Sequence, residues 1–591
     1  MKALFPLFTS ICLLVSISAC GPGTFLGTWS DILADGESES QSSPGNRTGD
    51  RSPPKEASNI KQIKKLNSIQ IFGVENRQRG ILWTSDDAET GFSVTSGDIN
   101  GDRVDDIIIG APDSEGILPD TTRSGWVYVI LGRSNLLRKV DLAKYADISF
   151  WGGEEAGRNL LGHSLVSSDL NGDGISDLVI GAPYGSGRGD NRIHSGMVYV
   201  FFGRESLKGI VDLSRQADVT ILGAQEGDLA GFSLATGDLN GDKLSDLIIG
   251  APGGDGYLDK ASEAGETYII YGRKKFPRVV DLSKDWNSRV FGIDSRSSIA
   301  LLAEDSPDKS GYAVASCDLN GDGLDDLIIG APFGDGFLNK QEDAGETYVV
   351  FGRKKFPKDI HLSSQADITL YGTKRWDHSG AALMKGDLNG DGVDDLILSS
   401  PTAERKMKSG PSTGLLYAVY GKRNHPKEYH LRTDASIIFK NNAVGQCDFQ
   451  GLATVGAGSL PFGRSITVLD LNSDGRDDLV VGVPCAQGRG GKTHSGEISF
   501  FYSREHQRMV NPIAVFQPAT TKLDELFGFS LSRGDVNGDG SADIIVGAPG
   551  MPRTKGLHSS GGAYVLLGPS KHQDSQAKRE PQNRTGRKSL P

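Results

Sequence analysis

The segment GFSLATGDLNGDKLSDLIIGAP, at residues 231–252, is one of seven copies that share the same internal spacing. Each copy begins with a glycine, has an aspartate seven residues later, and has a proline fourteen residues after that aspartate. The glycines are Gly91, Gly162, Gly231, Gly311, Gly380, Gly463 and Gly528. Self-similarity of this kind is typical of repeat architectures, so the chain is predicted to consist of seven copies of one structural unit. We call each copy a cassette.

Within each cassette the aspartate opens a nine-residue loop with the pattern DxNxDxxxD. Calcium takes about six to eight oxygen ligands, whereas zinc and copper prefer nitrogen and sulfur, so three carboxylates and an amide favour calcium. An EF-hand opens similarly but needs a glutamate at position 12 and flanking helices. Here position 12 is apolar, as at Ile249. The flanks are predicted to be strands, because residues 232–236 alternate before the loop and residues 247–249 form a continuous apolar run after it. The loops therefore predict up to seven calcium ions held in β-hairpins; the alternative is a set of solvated acidic turns.

The predicted calcium ligands occupy positions 1, 3, 5, 7 and 9 of each loop, and position 7 can offer only a backbone carbonyl or a weak ligand. They are Asp98, Asn100, Asp102, Val104 and Asp106; Asp169, Asn171, Asp173, Ile175 and Asp177; Asp238, Asn240, Asp242, Leu244 and Asp246; Asp318, Asn320, Asp322, Leu324 and Asp326; Asp387, Asn389, Asp391, Val393 and Asp395; Asp470, Asn472, Asp474, Arg476 and Asp478; and Asp535, Asn537, Asp539, Ser541 and Asp543.

Two further apolar runs follow the cassettes, such as GMVYVFFG at residues 196–203 and DVTILG at residues 218–223, which makes four predicted strands per repeat. The seventh repeat lacks the last run, whereas SIQIFG at residues 68–73 stands alone before the first cassette. Pairing this N-terminal run with the seventh repeat would close a ring. The predicted fold is therefore an all-β, seven-bladed β-propeller of four-stranded antiparallel blades over residues 67–568.

Residues 1–20 have the features of a secretory signal peptide: Lys2, an apolar core and small residues at the end. The last four residues resemble a bacterial lipobox, and this resemblance implies lipidation of Cys20; the alternative is ordinary cleavage near Ala19. Residues 21–66 are rich in Ser, Pro, Gly and charge, which predicts a flexible linker. We therefore expect an exported protein that is a membrane-anchored lipoprotein in the periplasm or at the cell surface, or is secreted.

The formal net charge of −12 does not predict a basic partner, because each of the seven loops places three acidic residues at ligand positions. Residues 569–591 form a basic tail without apolar periodicity, which predicts disorder. Nucleic acid is a poor partner for an exported acidic protein. The sequence has no HExxH motif and no recognisable catalytic constellation, so we expect a non-enzyme.

The cassettes resemble FG-GAP repeats, the units of the β-propeller head of integrin alpha chains. Phe462-Gly463 and Phe527-Gly528 carry the FG, and Gly250-Ala251-Pro252 is one of five GAP copies. Two repeats depart from this pattern, with Ser399-Ser400-Pro401 and Gly482-Val483-Pro484. Integrin alpha chains have the calcium loop in only some blades and continue into leg domains and a membrane span. The chain thus resembles a bacterial stand-alone propeller, and no integrin beta partner is implied.

The resemblance implies ligand binding on the face formed by the long loops that follow the cassette prolines. Two of these loops are near-copies that carry Tyr257 and Phe337 beside acidic groups. Exposed aromatic side chains suit sugar stacking or a protein hot spot; the alternative is that they pack onto neighbouring blades. The tripeptide Arg188-Gly189-Asp190 in another long loop spells an integrin-recognition motif, but a second copy ends in the loop ligand Asp535, which favours chance occurrence.

The predicted function is an exported, calcium-stabilised binding module for cell-surface adhesion or envelope protein–protein interaction, with a protein or glycan ligand. The alternative is a carbohydrate-binding or polysaccharide-degrading propeller. Cys447 and Cys485 flank the sixth cassette on one face, and export permits a disulfide between them. This pairing leaves Cys317 as a buried free thiol.

Overall fold

The structure is a computed structural model, and it describes residues 68–72, 89–114, 124–152, 159–186, 192–256, 263–292, 307–404, 413–441, 462–487, 494–503, 508–518, 525–551 and 560–568. These residues form a seven-bladed β-propeller, as the sequence predicts. The signal, linker and tail assigned from the sequence, and with them Cys20, lie outside the described residues.

Each blade has four antiparallel strands from the inside outward, in chain order except that the N-terminal strand is the outermost one of the seventh blade. The blades are, in order, β2 (Ser93–Gly97), β3 (Asp106–Ala111), β4 (Trp126–Ile130), β6 (Ile148–Trp151); β7 (Ser164–Ser168), β8 (Asp177–Ala182), β9 (Met197–Phe201), β11 (Val219–Leu222); β12 (Ser233–Gly237), β13 (Asp246–Ala251), β14 (Glu266–Ile270), β16 (Ser288–Phe291); β17 (Ala313–Cys317), β18 (Asp326–Ala331), β19 (Glu346–Val350), β21 (Ile368–Tyr371); β22 (Leu383–Gly386), β23 (Asp395–Ser400), β24 (Leu415–Val419), β26 (Ile437–Lys440); β27 (Ile466–Leu469), β28 (Asp478–Val483), β29 (Glu497–Phe501), β31 (Ala514–Phe516); and β32 (Leu531–Gly534), β33 (Asp543–Gly547), β34 (Gly562–Leu566), β1 (Ser68–Phe72).

The second strand of each blade is the buried centre of the sheet. All six residues of β13 are buried, because the strand lies between β12 and β14 and both of its faces are covered by neighbouring blades. A strand buried on both faces has a continuous apolar sequence, which explains why the run Leu247–Ile249 shows no alternation. The core is accordingly distributed over the blade-to-blade interfaces.

Six blades have a fifth, parallel strand that the sequence analysis did not predict. It comes from the connection between the third and fourth strands of the following blade, and in four repeats a helical turn follows it. The extra strands are β5 (Lys139–Asp141), β10 (Gly209–Asp212), β15 (Val279–Asp281), β20 (Asp359–His361), β25 (Glu428–His430) and β30 (Met509–Val510). The α-helices are α1 (Leu142–Tyr145), α2 (Leu213–Gln216), α3 (Leu362–Gln365) and α4 (Leu431–Asp434), and Phe337–Asn339 form a 3-10 helix.

Two apolar side chains anchor the extra strand. The segment that carries them is too short to show a hydrophobic periodicity in the sequence. In β10, Val211 is buried and lies opposite Phe150 of the preceding blade, and Leu213 begins α2 with no exposed surface. Asp212 caps that helix by accepting a hydrogen bond from Ser214 N–H. Among the described residues, only the sixth blade has no fifth strand, and Val515 of β31 is 47% exposed there.

The N-terminal strand β1 closes the ring, which confirms the prediction from the sequence. It pairs antiparallel with β34, from Ser68 opposite Leu566 to Phe72 opposite Gly562, and parallel with β5 of the first blade. Its inward side chains, Ile69 and Ile71, are buried. The ends of the chain's described part are therefore joined within one blade.

The cassette glycines and the serines two residues after them join neighbouring blades. Ser530 Oγ of the seventh blade donates a hydrogen bond to the carbonyl of Gly91 in the first, at 2.9 Å. Gly91 has φ +88°, and a β-carbon on it would lie 2.1 Å from the Gly562 carbonyl oxygen. Only glycine permits both this backbone conformation and this close approach, which explains its place at the head of each cassette. Within the described ranges, no helix is long and apolar enough to cross a membrane.

Candidate metal centres and the opposite face

The aspartate at position 9 of each loop is fully buried and connects the loop to the end of the third strand by hydrogen bonds. In the third blade, Asp246 accepts hydrogen bonds from Leu239 N–H at 3.1 Å and from Gly272 N–H at 2.9 Å. All seven loops make these two bonds, at 2.8–3.1 Å. The position-9 side chains are 0% exposed in every blade. This residue thus has a structural role in addition to its predicted role as a calcium ligand.

The acidic side chains at positions 1 and 5 shape the loop backbone. Asp238 accepts from the N–H groups of Asp242 and Lys243, and Asp242 accepts from Leu244 N–H. The equivalent bonds occur in the other six loops. One side-chain pattern therefore gives one backbone conformation seven times.

Negative charge accumulates within each loop. Burial raises the pKa of Asp246 to about 7; Gly272 N–H lowers it in part, and the charges of Asp242 and Asp238 raise it further. Burial raises the pKa of the other six position-9 aspartates to about 7 as well. The three carboxylates of a loop therefore repel one another, and a divalent cation would relieve that repulsion.

The donor chemistry of the loops fits calcium, although the side chains do not form a ready-made metal centre. Within the described residues, no three His, Cys, Asp or Glu side chains converge on one point. The carboxylates face backbone N–H groups, and the other predicted donors are an amide and a carbonyl oxygen. In the sixth loop the buried Oδ1 of Asn472 has no hydrogen-bond partner. A buried oxygen without a donor is costly, and a cation would satisfy it.

A further acidic position, which the sequence analysis missed, links four of the loops to a neighbouring loop. Asp325, at position 8 of the fourth loop, accepts from Asp238 N–H of the third blade at 2.9 Å. The same link joins blades 7 and 1, 4 and 5, and 5 and 6. Lys385 bridges Asp325 and Asp394 at 3.2 and 3.4 Å. The signal was present as consecutive aspartates at positions 8 and 9 of four loops.

The opposite face has buried carboxylates whose surroundings differ between blades. In the third blade Glu266 accepts from Tyr268 Oη at 2.5 Å and forms an ion pair with Arg289. The near-copy in the fourth blade keeps Glu346 and its bond from Tyr348 but places Thr369 where the third blade has Arg289. Burial raises the pKa of Glu346 to about 7, which the bond from Tyr348 opposes. Two nearly identical sequences thus give one compensated and one uncompensated carboxylate.

The aromatic residues predicted to bind a ligand are only partly placed by the structure. Phe337 lies in the 3-10 helix and is 36% exposed, with its ring 4.8 Å from His430 and 5.4 Å from Tyr371. It therefore packs onto neighbouring rings and keeps one accessible face. Tyr257 lies outside the described residues, as does the tripeptide Arg188-Gly189-Asp190.

Of the two cysteines that the structure describes, one is bonded and one is free. Cys485 is disulfide-bonded and buried, while its predicted partner Cys447 lies outside the described residues, so that pairing stays a prediction. Cys317 is buried and free, as expected.

These features define a seven-bladed β-propeller whose repeats each carry an acidic nine-residue loop. The chain matches the family model described as FG-GAP repeat at residues 90–130, 161–201, 230–270, 310–350, 379–417, 462–501 and 527–566. The chain therefore belongs to the FG-GAP repeat proteins, which confirms the resemblance that the cassettes show.

Similar proteins include a phospholipase and integrin alpha chains. The chain is 33% identical over 402 residues to phosphatidylinositol-glycan-specific phospholipase D of Bos taurus, covering 67% of this chain and 43% of that protein. It is 30% identical over 269 residues to integrin alpha pat-2 of Caenorhabditis briggsae, covering 44% and 19%. It is 29% identical over 255 residues to integrin alpha-5 of Xenopus laevis, covering 42% and 20%. The chain spans less than half the length of these relatives.

Proposed function

We propose that this chain is an exported, calcium-stabilised β-propeller binding module whose ligand is a protein, in cell-surface adhesion or in contacts between envelope proteins. The observation that carries the proposal is the contrast between the two faces. One face repeats the same loop in every blade, whereas the other holds different side chains at equivalent positions. A surface that varies from blade to blade can distinguish ligands, and a uniform one serves the scaffold.

The calcium part of the proposal rests on the loop chemistry. Each loop offers three carboxylates, an amide oxygen and a backbone carbonyl, and calcium, when bound, would supply the positive charge that these oxygens lack. Asp238, Asp242 and Asp246 would hold it in the third loop together with Asn240 and the Leu244 carbonyl. The residues' own contribution is to fix the hairpin: their backbone hydrogen bonds set the loop conformation, so binding to the folded state alone would stabilise it.

Export and anchoring are proposed from the sequence of residues 1–66, with Cys20 as the lipid carrier. We place the ligand across blades 3 and 4, where Phe337 keeps an accessible face near the acidic groups of the long loops. The similarity to integrin alpha chains supports a protein ligand.

The similarity to a phosphatidylinositol-glycan-specific phospholipase favours a second candidate, a carbohydrate-binding or polysaccharide-degrading propeller. The two candidates separate in one assay. Turnover of a polysaccharide or of a phosphatidylinositol-glycan by the purified protein would establish the second, since a binding module cannot produce it.

The test of the first candidate is a screen of the calcium-loaded full chain against envelope proteins and glycans. A Tyr257→Ala, Phe337→Ala double variant should weaken binding of the ligand found by about tenfold or more, because aromatic anchors dominate such contacts. Leu137→Ala is the control, because Leu137 is 49% exposed and lies between β4 and β5, in the connection whose Gly132 N–H bonds the acidic-loop residue Asp106. If the double variant binds as well as the control does, the site is elsewhere.

A further inference from the structure

The residue that follows each cassette glycine lies at the start of the innermost strand, where all seven blades meet around the axis. We call these seven residues the axial ring: Phe92, His163, Phe232, Tyr312, Ala381, Arg464 and Phe529. Ring contacts run around the axis from blade to blade, with centroids 5.0 Å apart for Phe529 and Phe92, 5.0 Å for Phe92 and His163, 4.7 Å for His163 and Phe232, and 5.0 Å for Phe232 and Tyr312. Ala381 and Arg464 complete the ring.

Arg464 is the unusual member, because its guanidinium has no hydrogen-bond or ion-pair partner among the described residues. It lies over the Phe529 ring at 3.8 Å and the Phe92 ring at 5.6 Å. Its Nε is buried without a hydrogen-bond partner, and the described residues give the side chain no ion pair. A guanidinium has five N–H donors in its plane, and stacking on an aromatic face engages none of them. Burial lowers the pKa of Arg464, and the charges of Tyr312 and Glu89 oppose this shift.

The neighbouring members of the ring do not supply a second charge. His163 Nδ1 lies 3.1 Å from the Phe232 carbonyl oxygen, which makes Nδ1 the donor, and its Nε2 is buried without a partner. Burial, with the charge of Arg464, lowers the pKa of His163 to about 3, so this ring is neutral. The axial ring therefore carries a single positive charge beside the faces of two phenyl rings.

We propose that the axial ring is a subsite for a single carboxylate, which Arg464 would hold through its free N–H groups. The guanidinium fork matches a carboxylate in a two-bond geometry. One positive charge neutralises a monoanion, whereas the electron-rich faces of Phe92 and Phe529 disfavour a dianion such as sulfate. The ring lies at the long-loop end of the inner strands, so this inference rests on the proposed function in one respect: the carboxylate would come from an acidic side chain of the protein ligand.

The subsite itself can be tested with a free carboxylate. Melting temperatures of the calcium-saturated full chain would be compared in formate, in sulfate and in chloride at equal ionic strength. We expect about 100 mM formate to raise the melting temperature by about 1–2 °C relative to chloride, because a ligand of the folded state alone stabilises it. Sulfate should have no such effect.

Variants assign the effect to Arg464. Arg464→Phe should fold, because Phe92, Phe232 and Phe529 hold the same position in other blades, and it should lose the formate response; Arg464→Gln gives the same test with a polar residue. Arg204→Gln should keep the response, because Arg204 also stacks on an aromatic ring, at 4.1 Å, but already pairs with Asp218. An equal formate response in the wild type and both Arg464 variants, no response in the wild type, or a larger response to sulfate would overturn the assignment.

A second arm separates this inference from the proposed function. A protein ligand that uses the subsite should bind Arg464→Phe about tenfold more weakly and should be displaced by formate. Full-affinity binding to Arg464→Phe would overturn the use of the subsite by that ligand while the proposed function stands. A formate response that depends on Arg464, with no protein ligand in the screen, would support the subsite and count against the proposed function.

Discussion

At one end of the innermost strands, seven loops make the same hydrogen bonds in every blade; at the other end, about 20 Å away along those strands, the equivalent positions hold phenylalanine, histidine, tyrosine, alanine or arginine. The loop end is uniform because each loop has the same structural role: it forms the turn between the first two strands of a blade and is hydrogen-bonded to the end of the third. The axial end can vary because a residue there packs mainly against other residues of the ring. The loop end of each repeat is therefore scaffold, whereas the axial end is free to acquire specificity.

The largest effect on stability should come from a substitution that opens the closed ring of seven blades, because both ends of the propeller depend on this closure. Ile71→Asp places a charge at a fully buried position of the closing strand β1, so we expect it to cost about 3–5 kcal/mol or to prevent folding. Ser68→Asp, at an exposed position of the same strand, should have little effect. Denaturant unfolding measures both. Equal stabilities of the two variants would contradict closure by β1.

A smaller effect should separate two carboxylates of one loop. Asp246→Ala leaves the buried N–H groups of Leu239 and Gly272 unpaired, so it should destabilise by about 2–3 kcal/mol with calcium and, less strongly, with chelator, where relief of repulsion offsets part of the cost. Asp242→Ala removes an exposed carboxylate and should destabilise more in calcium than with chelator, where only its bond from Leu244 N–H is lost. Urea unfolding in both buffers tests this, and a loss for Asp242→Ala that is the same with chelator would show that position 5 is not a ligand.

The smallest effect on the free energy of unfolding should come from neutralising a buried glutamate of the varied face. The sign of this effect should differ between blades 3 and 4. Glu346 has a pKa raised by burial to about 7, so the stability of the wild type should fall as pH rises from about 4.5 through 7, where the folded protein must release a proton it holds more tightly than the unfolded chain. Glu346→Gln removes this loss and should be about 1–2 kcal/mol more stable than the wild type at pH 8, with little difference near pH 4.5.

Glu266→Gln is the matched comparison, because Arg289 would lose its charged partner in the third blade. This variant should be less stable than the wild type at pH 8. If thermal unfolding shows the same sign for both variants, the difference between Arg289 and Thr369 does not decide the electrostatics of these blades.

Much of the fold could be predicted because its information is local or periodic. The unchanged spacing of the cassettes gives the number of blades and the first two strands, and the unmatched run at residues 68–73 gives the closure. The loop conformation follows from short-range hydrogen bonds, such as those from Asp242 and Lys243 N–H to Asp238. These features need no knowledge of distant contacts.

The missed features depend on contacts between residues that are far apart in the chain. The fifth strand is recorded only by a pair such as Val211 and Leu213, and its partner Phe150 belongs to the preceding blade. The Asp325 link reaches 87 residues back to Asp238. The isolation of Arg464 appears only when Phe92 and Phe529 are brought beside it. Such long-range contacts leave no periodic pattern in the sequence, because the residue types involved are common at those positions.

The central claim is that the uniform end of the propeller is a ring of calcium sites. Elemental analysis of the protein purified in calcium and passed over a desalting column, combined with melting curves before and after chelation, tests it most directly. The account predicts calcium approaching seven ions per chain, one for each loop, and a marked fall of the melting temperature on chelation that calcium restores and magnesium does not. Protein without bound calcium, or a melting curve unchanged by the chelator, would contradict it.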